Sequence, residues 1–427
     1  MLGVLTGRIP SEESILTFVR EWRARDLASV VGELSRRRWR RTASIRVVTG
    51  VVADVTDTAR TTFTTGIQRV ARETLSRWSR YEQVELIVWD KARSTFFAAS
   101  AAEASLASLG TVGPRERGIV IPFRSRFFLP EIAVDVSRAT ALRTVAQFSG
   151  SSTLAVGFDC IPVTTAETAG PGMPGAFSRY LSTLARFGRI APISDAAGVE
   201  YSGWRHMLSG AGIAGPDIQV AALPTSIESA SAGDHRATRS QLALGDAPVV
   251  LAVGSKEPRK NHLNLLHAAE VNWRYGHDFT LVLVGGNAWE ARRVDTLISD
   301  LRRRGRRIVT LSGVDDSVVW NLYGLARFTV FCSINEGFGL PVVESLSLGT
   351  PVLTSDFGSM RQLGENRGAL LVDPHDPDAM AIRMAELLTD DELVARLSAL
   401  AVDANAPSST WDDYARSLHA HLTARTR

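Results

Sequence analysis

From residue 45 onward, short apolar runs alternate with stretches of helical period, and the alternation runs twice along the chain. Runs of four to six apolar residues with no polar face are strands covered on both sides. Helices between them then carry the chain back, so the pattern predicts parallel sheets with crossover helices. In the first series, residues 45–55 form the expected opening strand. Thr65-Gly66-Ile67-Gln68-Arg69-Val70 then starts a helix whose Ile67, Val70, Leu75 and Trp78 share one face. Residues 84–88, 118–122, 154–158 and 190–193 are the further strands of this series. A passage rich in Ser, Ala and Gly intervenes over 226–246. A second series opens at Pro248-Val249-Val250-Leu251-Ala252-Val253-Gly254 and continues through 279–284, 308–311, 328–332, 352–354 and 369–372. With 427 residues the chain exceeds what one core usually supports. The expected fold class is α/β, with two doubly wound domains facing across a cleft, over 44–225 and 247–405. Residues 1–43 form an N-terminal extension, 226–246 a linker and 406–427 a C-terminal helix.

Hydrophobic residues make up 45% and charged residues 22%, a balance that excludes wholesale disorder, collagen and coiled coil. The two cysteines, Cys160 and Cys332, are far apart, so neither a disulfide scaffold nor a cysteine metal site is expected and a reducing cytoplasm fits. The eight histidines show no ligand spacing, so no metal is expected. The net charge of +3 is nearly balanced, and no nucleic-acid partner is expected. No run approaches the roughly 18 to 20 apolar residues of a membrane span, and Met1-Leu-Gly-Val lacks the regions of a secretory signal. The expected location is cytoplasmic, or peripheral at the inner face of the membrane.

That second option comes from the N-terminal extension. Over residues 11–31, Ile15, Phe18, Val19, Trp22, Leu27 and Val30 lie near one another on a helical wheel, and Arg36-Arg37-Arg38-Trp39-Arg40-Arg41 follows. An anionic membrane surface meeting residues 11–41 and a solvated arginine cluster against a neighbouring domain are equally good readings of this pattern.

Of 48 basic residues only Lys91, Lys256 and Lys260 are lysines, and two of these fall within five residues. They sit in Gly254-Ser-Lys-Glu-Pro-Arg259-Lys260-Asn261-His262, between a buried strand and a helical run for which Asn261 is the expected N-cap. Cations on a strand-to-helix loop, beside the free amides of a helix N-terminus, suit a diphosphate. A turn charged for solubility is the alternative. A second constellation, Asn335-Glu336-Gly337-Phe338-Gly339-Leu340-Pro341-Val342-Val343-Glu344, also follows a strand, with Pro341 expected at the first helical position. Gly337 and Gly339 let backbone approach a ligand, and Glu336 and Glu344 can accept hydrogen bonds from hydroxyls such as those of a sugar and a ribose. Taken alone, Glu344 reads equally as a surface helix residue.

Together these residues resemble glycosyltransferase family 4, the retaining nucleotide-sugar transferases with the GT-B fold of two Rossmann-like domains. The resemblance is carried by Arg259-Lys260-Asn261, by Leu283-Val284-Gly285-Gly286 with Trp289, and by Gly313-Val314 before Leu322-Tyr323. Glu336 to Glu344, Gly349-Thr350-Pro351-Val352, Val372-Asp373-Pro374 and Trp411 complete it in the second domain. In the first domain, Asp54-Val55, Thr65-Gly66-Ile67-Gln68-Arg69 and Asp159-Cys160-Ile161-Pro162 look like the branch that assembles bacterial polysaccharides. The resemblance implies that Lys260 and Arg259 hold the donor diphosphate, near Gly254. It further implies that Glu336 contacts the transferred sugar, that Glu344 binds the ribose, and that the amides of Gly337, Phe338, Gly339 and Leu340 support sugar and phosphate. Gly66 would lie beside the donor and Asp159 near the sugar or acceptor. The implied donor is a nucleoside-diphosphate sugar, GDP-mannose before rhamnose or glucose donors, and the implied acceptor a glycan or lipid-linked glycan. No cofactor is implied. The helix from Trp411 would cross back to the first domain and couple closure to donor binding.

Three positions depart from the family pattern. Phe158 stands where many relatives have a histidine, Ser255 where many have an arginine, and Gln362 near where many have a glutamate. Asp376-Pro377-Asp378 reads as a helix cap rather than a metal motif. A nicotinamide-dependent dehydrogenase would need Gly-X-Gly-X-X-Gly, and Gly337-Phe-Gly339-Leu-Pro-Val342 lacks the third glycine. A catalytically silent sugar-nucleotide or glycan binder on the same scaffold is the remaining alternative, kept open by Phe158.

Overall fold

The computed structural model describes residues 1–36, 44–62, 65–108, 117–225, 235–404 and 409–424. The chain divides into two compact units. The first comprises residues 1–159, 172–222 and 411–427, and the second residues 160–171 and 223–410.

Among the described residues of the first unit, nine strands form one sheet. They are β1 (Ile45–Val48), β2 (Val51–Asp54), β3 (Val84–Asp90), β4 (Thr95–Ala98), β5 (Ile119–Pro122), β6 (Arg126–Leu129), β7 (Ser152–Gly157), β8 (Arg189–Pro192) and β9 (Asp217–Ile218). Their order is β1-β5-β4-β3-β2-β6-β7-β8-β9. The pairs are parallel except around β4, which runs antiparallel to β3 and β5. The single strand expected over 45–55 is therefore two. β1 pairs with β5 (Ile45↔Ile119), whereas β2 lies between β3 and β6 (Val51↔Val84, Val51↔Arg126). Thr49 and Gly50 separate them, and Gly50 supplies the break that a count of apolar residues misses.

The helix Gly66–Trp78 starts with a capping box between Thr65 and Gln68 and buries Val70, Leu75 and Trp78, while Ile67 is half-buried. Trp78 Nε1 donates at 2.8 Å to the carbonyl of Ala415, which lies in the helix Trp411–Thr423 of the same unit. A buried indole N–H needs such an acceptor. The one amphipathic helix read over residues 11–31 is in fact two, Glu12–Ala24 and Leu27–Arg36. Arg25 is extended between them, and Asp26 accepts from Ser29 N at 2.8 Å to start the second. Most of the basic run, Arg37 to Arg41, lies outside the described residues.

In the second unit β10 (Val249–Val253), β11 (Thr280–Val284), β12 (Ile308–Leu311), β13 (Phe328–Phe331), β14 (Val352–Ser355) and β15 (Ala369–Val372) form a fully parallel sheet. Its order is β12-β11-β10-β13-β14-β15. The chain winds outward from β10 in one direction, then returns to wind outward from β13 in the other. Successive residues of each strand feed opposite faces of the sheet. Val250, Leu281, Phe328 and Leu353 join the core with Leu266, Phe279, Met380 and Met384, while Val249, Leu251 and Val282 pack against Leu322 and Tyr323. Residues 226–246, read as a linker, contain the helix His235–Gln241, in which Thr238 accepts from Asn321 Nδ2 at 3.1 Å; residues 226–234 lie outside the described part.

Candidate functional site

The winding of the second unit reverses between β10 and β13, and the loops that leave the carboxyl ends of these adjacent strands meet there. In open parallel sheets this switch point is where a crevice forms and ligands bind. The loop after β10 carries Arg259 and Lys260 in a short turn, Pro258–Lys260, and the loop after β13 carries Glu336. Lys260 Nζ donates to Glu336 Oε1 at 2.7 Å, and Arg259 Nη1 forms an ion pair with Glu336 Oε2. Arg259 also donates through Nη2 to Glu257 Oε1 at 2.7 Å and through Nη1 to the Asn335 carbonyl at 3.2 Å. The Arg259 carbonyl accepts from Ile334 N at 2.9 Å, so backbone as well as side chains join the two loops. Lys260 is further fixed 4.6 Å over the Phe331 ring, a cation on an aromatic face.

These contacts set the local charge. Burial alone would raise the Glu336 carboxyl, but Lys260 and Arg259 outweigh it and hold the group down at about 2. Burial pushes the Lys260 ammonium below its ordinary value, with Glu336 opposing and Arg259 adding to the shift. His262, the first residue of the next helix, is buried. It is lowered to about 4 by that burial and then by Lys260 and Lys256, and its Nδ1 has no hydrogen-bond partner among the described residues. Lys256 faces elsewhere and pairs with Asp295 at 2.6 Å. The lysine pair of the sequence is thus split, and only Lys260 reaches Glu336.

Asn261 occupies the N-cap position of the helix His262–Arg274, as read from the sequence, but its side chain does not cap. With φ at 59°, Asn261 turns Nδ2 to the carbonyls of Cys332 (3.1 Å) and Pro374 (2.7 Å). It ties the loop to the ends of β13 and β15, which fixes where Lys260 points. Close approach of backbone at the neighbouring strand ends requires glycine. At Gly285, φ is 157°, and a Cβ would lie 2.0 Å from the carbonyl oxygen of Gly254.

The second constellation continues into the helix Leu340–Ser347, whose N-cap is Gly339 at φ 104°, a residue with no side chain to cap it. Pro341 is the second helical residue rather than the first. Gly337, Phe338 and Gly339 are buried, and Ser359 Oγ donates to the Glu336 carbonyl at 2.8 Å, holding the loop from the other side. Glu344, one turn into the helix, accepts from Tyr323 Oη at 2.8 Å. Asn335 Nδ2 lies 3.5 Å from Thr164 Oγ1 in the segment 160–171, which packs with this unit. Asp376 caps the helix Pro377–Thr389 by accepting from Ala379 N at 2.8 Å, in accord with the structural reading of that motif.

Gly66 and Asp159 belong to the first unit. Gly66 is exposed at the start of its helix, the Asp159 carbonyl accepts from Tyr201 Oη at 3.2 Å, and Phe158 is buried. The switch point of this unit's sheet lies between β2 and β6, and there the structure shows a cluster whose members the sequence does not connect. Arg138, buried, donates through Nε to Asp54 Oδ2 (2.9 Å) and through Nη1 to Asp57 Oδ2 (2.7 Å), and also pairs with Glu131. Glu131 in turn accepts from the amides of Asp57 and Thr58, each at 2.8 Å. This cluster pairs one cation with three carboxylates, whereas the loops after β10 and β13 bring two cations, Arg259 and Lys260, to one carboxylate, which makes them the better candidate for an anionic ligand. Among the described residues no group of three or more His, Cys, Asp or Glu side chains is gathered as for a metal. No described helix is long and apolar enough to cross a membrane.

Fold and site define an α/β protein of GT-B fold, with two doubly wound units and an ion-paired switch point in the second. Residues 234–401 match the family model of glycosyl transferases group 1. The serotype-specific mannosyltransferase WbdA of Escherichia coli is 28% identical over 250 residues, 55% of this chain and 29% of that protein. The O-antigen chain mannosyltransferase B of Escherichia coli is 38% identical over 149 residues, 33% of this chain and 37% of that protein. The chain thus spans well under half the length of these curated relatives. Among solved structures, HepE of Anabaena in complex with UDP-glucose superposes with a TM-score of 0.62 at 15% identity, covering 88% of this chain and 99% of that one.

Proposed function

We propose that the protein transfers a hexose from a nucleoside-diphosphate sugar to a glycan or lipid-linked acceptor in bacterial polysaccharide assembly, as a family 4 enzyme. The observation that carries this reading is the convergence of Arg259 and Lys260 on Glu336 at the switch point, two cations held beside a helix N-terminus. Such charge suits a diphosphate leaving group, whose negative charge grows as the glycosidic bond breaks. Lys260 and Arg259 would stabilise that charge, Glu336 would orient the sugar, Glu344 would take the ribose, and the backbone from Gly337 to Leu340 would support sugar and phosphate. Gly66 and Asp159 are proposed on the donor and acceptor side. Mannose is the sugar proposed first, because relatives matching this chain are mannosyltransferases. GDP-mannose is the corresponding donor. Retention would follow if the acceptor hydroxyl attacks on the face the diphosphate leaves, its proton passing to the departing phosphate oxygen.

A panel of nucleotide sugars scored for binding and for release of free nucleoside diphosphate tests the reading. One donor should be bound and consumed, whereas binding without release identifies a silent binder, the alternative that the buried Phe158 supports. For the N-terminal helices, Trp22 and Leu16 are exposed beside Arg20, Arg23 and Arg25, which supports contact with an anionic membrane surface. Removing residues 1–43 should then abolish binding to anionic liposomes, and retained binding rejects the contact.

A further inference from the structure

The ion pairs at the switch point set two acids against two bases. Glu336 engages both Lys260 and Arg259, and Glu257 engages Arg259 through its other terminal nitrogen. Glu336 and Lys260 are both nearly inaccessible, so the pair is desolvated and each partner depends on the other for its counter-charge. The fork of Arg259 is likewise committed, with Nη1 to Glu336 and the Asn335 carbonyl and Nη2 to Glu257. A diphosphate presented to this loop would meet cations whose donors already face carboxylates of the same sign as itself.

We propose that Glu336 and the donor's diphosphate compete for the same two cations, so that donor binding is an exchange of ion pairs. The diphosphate takes over Lys260 and Arg259, and the Glu336 carboxylate, released from them, becomes the acceptor for hydroxyls of the transferred sugar. The inference rests on the diphosphate reading above and adds to it a reason for a carboxylate within the cation cluster. Without Glu336, a nucleoside diphosphate left after transfer would be held by Lys260 with no carboxylate competing and by Arg259 with only Glu257 opposing. With Glu336 ready to reclaim them, the product is expelled. No bond is made or broken in the exchange itself; the partners of Lys260 and Arg259 change. Glu257 hydrogen-bonds Arg259 alone of the two cations, so it opposes the diphosphate less.

The scarcity of lysine supplies a direct probe. Side-chain nitrogen signals of lysine-labelled full-length protein report only Lys91, Lys256 and Lys260, of which Lys91 pairs with Asp135 and Lys256 with Asp295. With the Lys260 signal assigned by its loss in Lys260→Arg, inorganic pyrophosphate should shift that signal and leave that of Lys91 in place. By calorimetry, Glu336→Gln should bind pyrophosphate about tenfold or more tightly than the parent, and Glu257→Gln should gain less, because it frees only Arg259. A stationary Lys260 signal at high pyrophosphate, pyrophosphate binding by neither protein, or a Glu336→Gln affinity no greater than the parent's would each overturn the exchange. Should Glu336→Gln fail to fold, the signal of the parent protein still decides. If pyrophosphate binds as described but no nucleotide sugar is consumed, the transferase reading fails and the exchange stands. If a donor is consumed but Glu336→Gln binds pyrophosphate no better, only the exchange fails.

Discussion

The Tyr323 hydroxyl donates to Glu344 Oε2 at 2.8 Å, joining the helix Asp316–Leu325 to the helix that starts at Leu340. The contact fixes one oxygen of a half-buried carboxylate, the group proposed to take the ribose. Glu344→Ala should therefore weaken binding of a free nucleoside diphosphate. Tyr323→Phe, which keeps the carboxylate and loses one hydrogen bond, should cost about 1 kcal/mol of stability and a smaller share of affinity. Equal affinity in the parent and Glu344→Ala, measured by calorimetry, rejects the ribose role.

His262 and Glu336 each make the protein acid-sensitive, over windows that overlap only between about 4 and 4.5. His262 has a folded value of about 4 against an ordinary 6.5, set by burial and then by the nearby lysines. The folded state binds fewer protons than the unfolded one between these values, so stability is full above 6.5 and falls as the pH drops towards 4, by about 3 kcal/mol. In Glu336, Lys260 and Arg259 override burial and hold the folded value at about 2 against 4.5. Its contribution is present above 4.5 and is lost between there and 2, again on the order of 3 kcal/mol. Denaturant unfolding from pH 7 to pH 3 should show His262→Asn losing the upper part of the parent's slope and Glu336→Gln the lower part. Coincident slopes in parent and His262→Asn would contradict the buried neutral imidazole.

Gly285 is the position where a single methyl group should do most harm to the scaffold of the site. Its φ of 157° and the 2.0 Å approach of an added Cβ to the Gly254 carbonyl oxygen leave no rotamer to relieve the clash, because both partners are backbone. Gly285→Ala should cost ~3 kcal/mol in thermal or denaturant unfolding, through strain at the ends of β10 and β11. Parent-like stability would mean that these loops yield more readily than their packing indicates.

Much of the second unit was legible in the sequence. Its inner strands are buried on both faces and read as apolar runs, and even the half-buried edge strands β12 and β15 match 308–311 and 369–372 residue for residue. The first unit was harder. β4 and β6 were not read as strands, and β1 and β2 merge into one run although they occupy separate places in the sheet. At the site, residue types and loop positions were visible, but partners were not. Lys260 and Glu336 stand 76 residues apart and meet only because β10 and β13 are adjacent. Nothing local shows that Lys256 turns to Asp295, that Asn261 bonds carbonyls instead of capping, or that Arg138 gathers Asp54, Asp57 and Glu131.

The central claim is that charge at Lys260 serves the departure of a diphosphate, and turnover of a nucleotide sugar by Lys260→Ala tests it most directly. With the donor identified from the panel, release of nucleoside diphosphate should fall by a factor of about 10² to 10³ relative to the parent, mainly in kcat. Turnover of the variant close to that of the parent, in a protein that still binds the donor, would contradict the account.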